Sequence, residues 1–166
     1  MDFIQYQKFL DNQWKQLEQR IREDEDFKKA GKAKIQISEE FFFTLDISGL
    51  PGLLIITNNI KKIDKDFIPN CKSWNIEVFD NQLVMFLKKK EYSDFFKEII
   101  NLILTKINLK KFIKEESINF FFSKLSSAKN FFDSDASPKP LSSEKETGLF
   151  GELITLNEFI NKKYSE

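Results

Sequence analysis

The sequence predicts an α+β protein with an N-terminal amphipathic helix, an antiparallel β meander of about five strands and a helical C-terminal region. Three observations carry this prediction. Apolar residues recur every three or four positions near the N-terminus, short β-type runs separated by Gly, Pro and Asn follow, and helical spacing returns after residue 90. The 166 residues include 41% hydrophobic residues and 19 phenylalanines, which is enough to build a core of one compact domain.

The first predicted element is the N-terminal helix. Its apolar residues lie on one stripe, because side chains three and four positions apart share a helix face. They are Phe3, Tyr6, Leu10, Trp14, Leu17 and Ile21. The charged segment after Arg22 has no apolar period, so we expect it to form an exposed connection.

The β-type runs come next. Gly49, Pro51 and Gly52 predict a tight connection between the second and third runs, and Asp80-Asn81 predicts a two-residue hairpin turn. Such punctuation is typical of consecutive antiparallel strands. The predicted strands are Lys34–Ile37, Phe41–Ile47, Leu53–Thr57, Trp74–Phe79 and Leu83–Leu87.

Two helices are predicted after the strands. The helix from Tyr92 to Ile107 is apolar around more than half of its circumference, so we expect it to pack on two sides. A second helix should run from Lys114 to about Phe132. The expected organisation is therefore a helix-plus-sheet domain at 1–90 and a helical pair packed on the sheet at 91–132.

A linker and a last helix complete the prediction. Two prolines and several short polar residues make 133–142 a linker. Ser143 and Glu146 have the S-x-x-E form of a capping box, which predicts a helix over 143–166. Its apolar stripe is Leu149, Leu153, Leu156 and Ile160, with Phe150 and Phe159 at the borders.

The balance of charge argues against nucleic-acid binding driven by a net field, because 26 basic residues match 26 acidic ones. The basic runs at Lys88–Lys90 and at Lys106, Lys110, Lys111 and Lys114 are interpreted as solvated surface. One cysteine, Cys71, indicates a reducing compartment, and neither a signal peptide nor a membrane span is predicted. We expect a soluble, cytoplasmic protein.

Several chemistries are improbable on the residue types present. The chain has no histidine, no phosphate-binding GxxxxGK[ST] loop and no GxGxxG fingerprint. Carboxylates remain, and phosphodiester hydrolysis assisted by Mg²⁺ needs little more than these and a lysine. However, Asp80 is followed by the apolar run from Leu83 to Leu87, where an E-x-K pair would be needed. No metal site is predicted within this chain.

The segment 142–160, SSEKETGLFGELITLNEFI, resembles the G-L-F-G-E-L segment of a bacterial PD-(D/E)XK motif protein family associated with restriction-type defence operons. The upstream pattern from Gly49 to Leu54 also resembles the G-x-P-G-L-L turn and strand of that family. The resemblance implies that this chain corresponds to the N-terminal region and that the Asp and E-x-K residues lie downstream of Glu166. It also implies Mg²⁺ for intact members and a catalytic role for Glu152 in the first core helix. A helical acid stabilised by the helix dipole is the competing interpretation of Glu152.

Three functional hypotheses remain. The first is a non-catalytic accessory module that binds a protein partner or another copy of itself, through an apolar patch of Leu149, Phe150, Leu153 and Phe159. The second is a metal-dependent endonuclease subunit whose active site is completed by residues outside the chain. The third is a weak nucleic-acid-binding module, because FFF at 41–43 and at 120–122 must place at least one ring outward.

Overall fold

The computed structural model describes residues 1–23, 33–58, 68–69, 71–79 and 81–133, and all of them belong to one compact unit, Met1–Ser134. The elements are helix α1 (Phe3–Glu23), strands β1 (Lys34–Gln36), β2 (Phe41–Leu45), β3 (Pro51–Ile56), β4 (Trp74–Phe79) and β5 (Gln82–Leu87), a short 3-10 turn (Lys90–Tyr92), and helices α2 (Ser93–Lys110) and α3 (Lys114–Asp133). The predicted α+β class is therefore confirmed: one helix, a five-stranded antiparallel sheet and two further helices. The predicted linker and final helix, 133–142 and 143–166, lie almost wholly outside the described residues.

Helix α1 begins at a reciprocal cap. The backbone amide of Gln5 donates to Oδ1 of Asp2 at 2.8 Å, and the amide of Asp2 donates to Oε1 of Gln5 at 3.2 Å. This arrangement satisfies an amide that the helix itself leaves without a partner. The helix then buries the predicted stripe except Phe3, which is half-buried; the buried members are Tyr6, Leu10, Trp14, Leu17 and Ile21.

The turn between β2 and β3 is built by Asp46. Its Oδ1 accepts from the amides of Ser48 and Leu50, both at 2.8 Å, and Gly49 takes a positive φ of 79°. A short acceptor side chain and a glycine are what such a turn requires. Strand β2 consequently ends at Leu45, two residues earlier than predicted.

The order of the strands corrects one expectation. The sheet order is β1-β2-β3-β5-β4, so the last two strands exchange the places that a simple meander would give them. Strand β5 (QLVMFL) is largely apolar, whereas β4 (WNIEVF) carries Asn75 and Glu77. Burying the apolar strand inside the sheet and leaving the more polar one at the edge removes more apolar surface from water. The predicted hairpin between them is confirmed, because Phe79 pairs with Gln82.

Helices α2 and α3 complete the core. Helix α2 contacts α1, α3 and β3, which confirms that it packs on more than one side. Aromatic contacts join the layers: the rings of Trp14 and Phe43 are stacked with centroids 3.8 Å apart, and those of Phe41 and Phe121 are 5.4 Å apart. The described residues contain no helix long and apolar enough to cross a membrane.

Candidate functional site

The site residues predicted from the sequence lie outside the described part of the chain. They are Glu152 as the candidate catalytic acid, and Leu149, Phe150, Leu153 and Phe159 as the candidate interaction patch. Their roles stay predictions. Three features of the described residues bear on function: a buried polar junction, a basic–aromatic corner and an apolar sheet face.

The polar junction connects α1 to α2. The indole Nε1 of Trp14 donates to Oδ1 of Asn101 at 3.0 Å, and Nδ2 of Asn101 donates to Oδ1 of Asp11 at 2.7 Å. Trp14 is 3% exposed and Asn101 is 4% exposed, so neither group can exchange its partner for bulk water. An ion pair between Lys97 and Glu18 lies on the same pair of helices. The junction fixes how the two helices meet.

Acidic side chains surround the outer end of this junction. The pKa of Glu98 is raised because its carboxyl is partly desolvated and because the carboxylates of Asp94 and Asp11 lie nearby. Across the described ranges, however, no three Asp, Glu, Cys or His side chains are grouped so that they could hold a metal ion. The donor set implied for Mg²⁺ is thus not found among the described residues, and Asp11 is already engaged by Asn101.

The basic–aromatic corner lies where α2 gives way to α3, and we define it by Lys106, Lys110, Phe112, Phe120 and Lys124. The rings of Phe112 and Phe120 are 5.0 Å apart. The Lys110 ammonium lies 5.7 Å from the first ring and 5.8 Å from the second, and the Lys124 ammonium lies 5.5 Å from the second. Lys111 ends α2 in the left-handed conformation, at φ 50°. The chain therefore turns at the end of α2, and Phe112, the next residue, lies beside Phe120 of α3.

Lys106 departs from its expected solvated state. It is half-buried, and its pKa is lowered by burial first and then by the positive charges of Lys124 and Lys110. Lys106 is therefore less solvated than the rest of this basic run, in which Lys110, Lys111 and Lys114 are exposed. Sequence spacing placed Lys106 and Lys110 on one helix face, but Lys124 joins them only through the packing of α3.

The outer sheet face is the side of the sheet away from the main core. Phe42, Leu54 and Val84 pair across β2, β3 and β5 and so share this face, while their neighbours in each strand point into the core. Leu54 is 8% exposed yet lies outside the core cluster. Ile56 and Phe86 belong to the same face by register. The same face also carries Thr44 and Gln82, so it is mainly rather than wholly apolar. Its apolar side chains are half-buried except Leu54, which is buried.

Helices packed on one side of a five-stranded antiparallel sheet define an α+β module. Comparison with known protein families identifies the chain more specifically than its fold class does. The model of the DUF4420 family, described as "Putative PD-(D/E)XK family member", matches residues 10–166, and the chain belongs to this family. No curated protein and no solved structure gives a significant match.

Proposed function

We propose that this chain is a non-catalytic accessory module of a PD-(D/E)XK family protein of the restriction or anti-phage defence type, and that it acts by protein–protein association. The observation that carries the proposal is the outer sheet face. Antiparallel sheets commonly bury one face and expose a polar one, and a second apolar face is typical of a surface that receives another layer. Family membership supports the nuclease relationship, and the resemblance of the GLFGEL segment supports the defence context.

We propose a second copy of this chain as the occupant of the outer sheet face. Basic and acidic residues balance at 26 each, so two copies meet without net repulsion. The same apolar row on each copy can form a self-complementary two-fold contact. Three strands spaced by about 4.8 Å, with five or six residues in each, offer roughly 200 to 300 Å² of flat area per copy. That is small for a stable dimer, so the expected association is weak.

Light scattering of the purified chain tests this association. The wild type should show a rise in mean mass over a concentration series that reaches several hundred micromolar, and Phe42→Asp should remain monomeric. Val84→Thr is a milder change on the same face, since it preserves the side-chain shape while adding a hydroxyl. Ile4→Asp is the matched control, because Ile4 is 64% exposed on α1. Circular dichroism confirms that each variant is folded.

The outcomes separate the candidate surfaces. A monomeric wild type at all concentrations refutes self-association. If Phe150→Asp abolishes association while Phe42→Asp does not, the outer sheet face is not the interface and the predicted patch on the final helix takes its place.

The second candidate is a metal-dependent endonuclease subunit completed by residues outside this chain, and family membership is the observation that favours it. The purified chain alone should be inactive under both candidates, so plasmid DNA and Mg²⁺ are incubated with the chain together with a candidate partner nuclease subunit. The accessory role predicts that any cleavage is unchanged in Glu152→Gln. Cleavage that depends on Mg²⁺ and is lost in Glu152→Gln would replace the accessory role with a catalytic one.

A further inference from the structure

We propose that the basic–aromatic corner is a contact surface for single-stranded nucleic acid, in which Lys106, Lys110 and Lys124 meet phosphates and Phe120 stacks on a base. The corner lies on α2, α3 and the connection between them, and it does not use the outer sheet face. Its success or failure is therefore independent of the association proposed above.

The geometry gathers positive charge around aromatic rings. Lys106 and Lys110 are one turn apart on α2, and Lys124 reaches the same place from α3. Two ammonium groups, from Lys110 and Lys124, lie within 5.8 Å of the Phe120 centroid. Protein surfaces that bind single strands combine these same two components, cationic side chains along the backbone path and rings on which bases stack.

The positively charged lysine side chains of the corner repel one another in the folded chain. Lys106 is held half-buried near Lys110 and Lys124, and the resulting repulsion contributes to the lowering of its pKa. A phosphate placed among the three ammonium groups converts this repulsion into attraction. Lysine side chains are long and flexible, so the ammonium groups can move from the ring to a phosphate and leave the ring to the base.

The apolar parts of the corner favour a nucleic acid over an acidic peptide. Phe112 and Phe120 are half-buried, so each ring packs partly against the core while part of it stays accessible. Leu109 and Ile113, 44% and 70% exposed, extend the apolar surface on either side of Phe112 in the sequence. An acidic peptide would satisfy the lysines alone, whereas a single strand presents bases as well as phosphates.

A negative charge lies beside the basic–aromatic corner, at Glu116. Glu116 is exposed and lies one turn before Phe120, so Glu116, Phe120 and Lys124 follow one stripe of α3. A phosphate near the ring is repelled by this carboxylate. We therefore expect removal of the Glu116 charge to strengthen binding.

Fluorescence anisotropy with a labelled oligothymidylate of about twelve nucleotides tests the proposal on the full chain at low salt. The double variant Lys110→Gln/Lys124→Gln should weaken binding at least about tenfold and reduce the slope of log Kd against log salt by about 1.4, since each single-strand phosphate contact contributes about 0.7. Phe120→Leu, which keeps an apolar side chain, should weaken binding about fivefold or more. Glu116→Gln should tighten it.

Lys88→Gln/Lys89→Gln is the matched control. This variant also removes two positive charges, but from residues that lie just before α2. The helix spans about 20 Å between Ser93 and Lys106 at 1.5 Å per residue, which separates its first turn from the corner. This control should bind like the wild type. The proposal is overturned if the wild type does not bind at micromolar concentrations, or if the control loses as much affinity as the corner variant. Equal binding of polyglutamate overturns it in favour of an acidic-protein surface, and a preference for duplex with no effect of Phe120→Leu overturns the stacking role.

Discussion

Replacing Asn101 with leucine tests the idea that the polar junction sets the packing of α1 on α2. The substitution keeps a similar volume but removes the acceptor of the Trp14 indole, 3.0 Å away, and the donor to Asp11, 2.7 Å away. Both Trp14 and Asn101 are nearly inaccessible to water. The indole N–H is therefore left buried without a partner.

The structure sets the expected magnitude. A buried donor left without its acceptor costs about 1 to 3 kcal/mol. The loss at Asp11 adds less, because Asp11 is exposed and water can replace the amide. We expect the free energy of unfolding to fall by about 2 kcal/mol, which for a domain of this size lowers Tm by about 8 °C.

Urea unfolding followed by circular dichroism measures this effect. Asn108→Leu is the matched control, because Asn108 is exposed on the same helix, and it should change the unfolding free energy by less than about 0.5 kcal/mol. In a Trp14→Phe background, which has no indole donor, Asn101→Leu should cost about 1 kcal/mol less. The reasoning is refuted if Asn101→Leu is as mild as the control, or if its cost is the same in both backgrounds.

Two further predictions concern the sheet and the acidic side chains. Gly52→Ala should destabilise the domain by about 1 to 3 kcal/mol, because a Cβ there would lie 2.4 Å from Cδ1 of Phe86 and 2.6 Å from the carbonyl oxygen of Met85. Urea unfolding measures this loss. Repeating the measurement in a Phe86→Leu background shows whether the clash is with the ring or with the backbone. Glu98→Gln should raise Tm at neutral pH. The pKa of Glu98 is raised in the folded chain, so its ionised carboxylate destabilises the fold at pH values above that pKa. The difference in Tm between the variant and the wild type should therefore shrink as the pH is lowered and the carboxyl of Glu98 is protonated. A Tm advantage that grows below pH 5 would contradict this.

Much of the fold was predictable because it depends on local periodicity. The buried residues of α1, from Tyr6 to Ile21, are those of the predicted stripe, and α3 begins at Lys114 as predicted. The D-x-x-Q cap at Asp2 and Gln5 has the form of a capping box and is a feature that the sequence could have predicted, as the S-x-x-E form at Ser143 predicts one. Likewise, Asp46 before Gly49 could have indicated the earlier end of β2.

The candidate surfaces were less predictable, since each depends on residues that are distant in the sequence. FFF at 41–43 and at 120–122 required an outward ring by period, and the structure identifies Phe42 and Phe120 as the half-buried members. What surrounds each ring could not be inferred in the same way. Phe42 lies beside Leu54 on the neighbouring strand, and Phe120 lies beside Lys110 of another helix.

Each helix and strand, and the side of it that is apolar, follows from hydrogen bonding and apolar spacing within one segment, so both were predictable from the residues alone. The order of β4 and β5, the burial of Asn101 against Trp14, and the approach of Lys124 to Lys106 are set by the packing of distant segments. The physical reason is that these depend on which apolar surfaces are removed from water together, and that choice is made by the whole core at once.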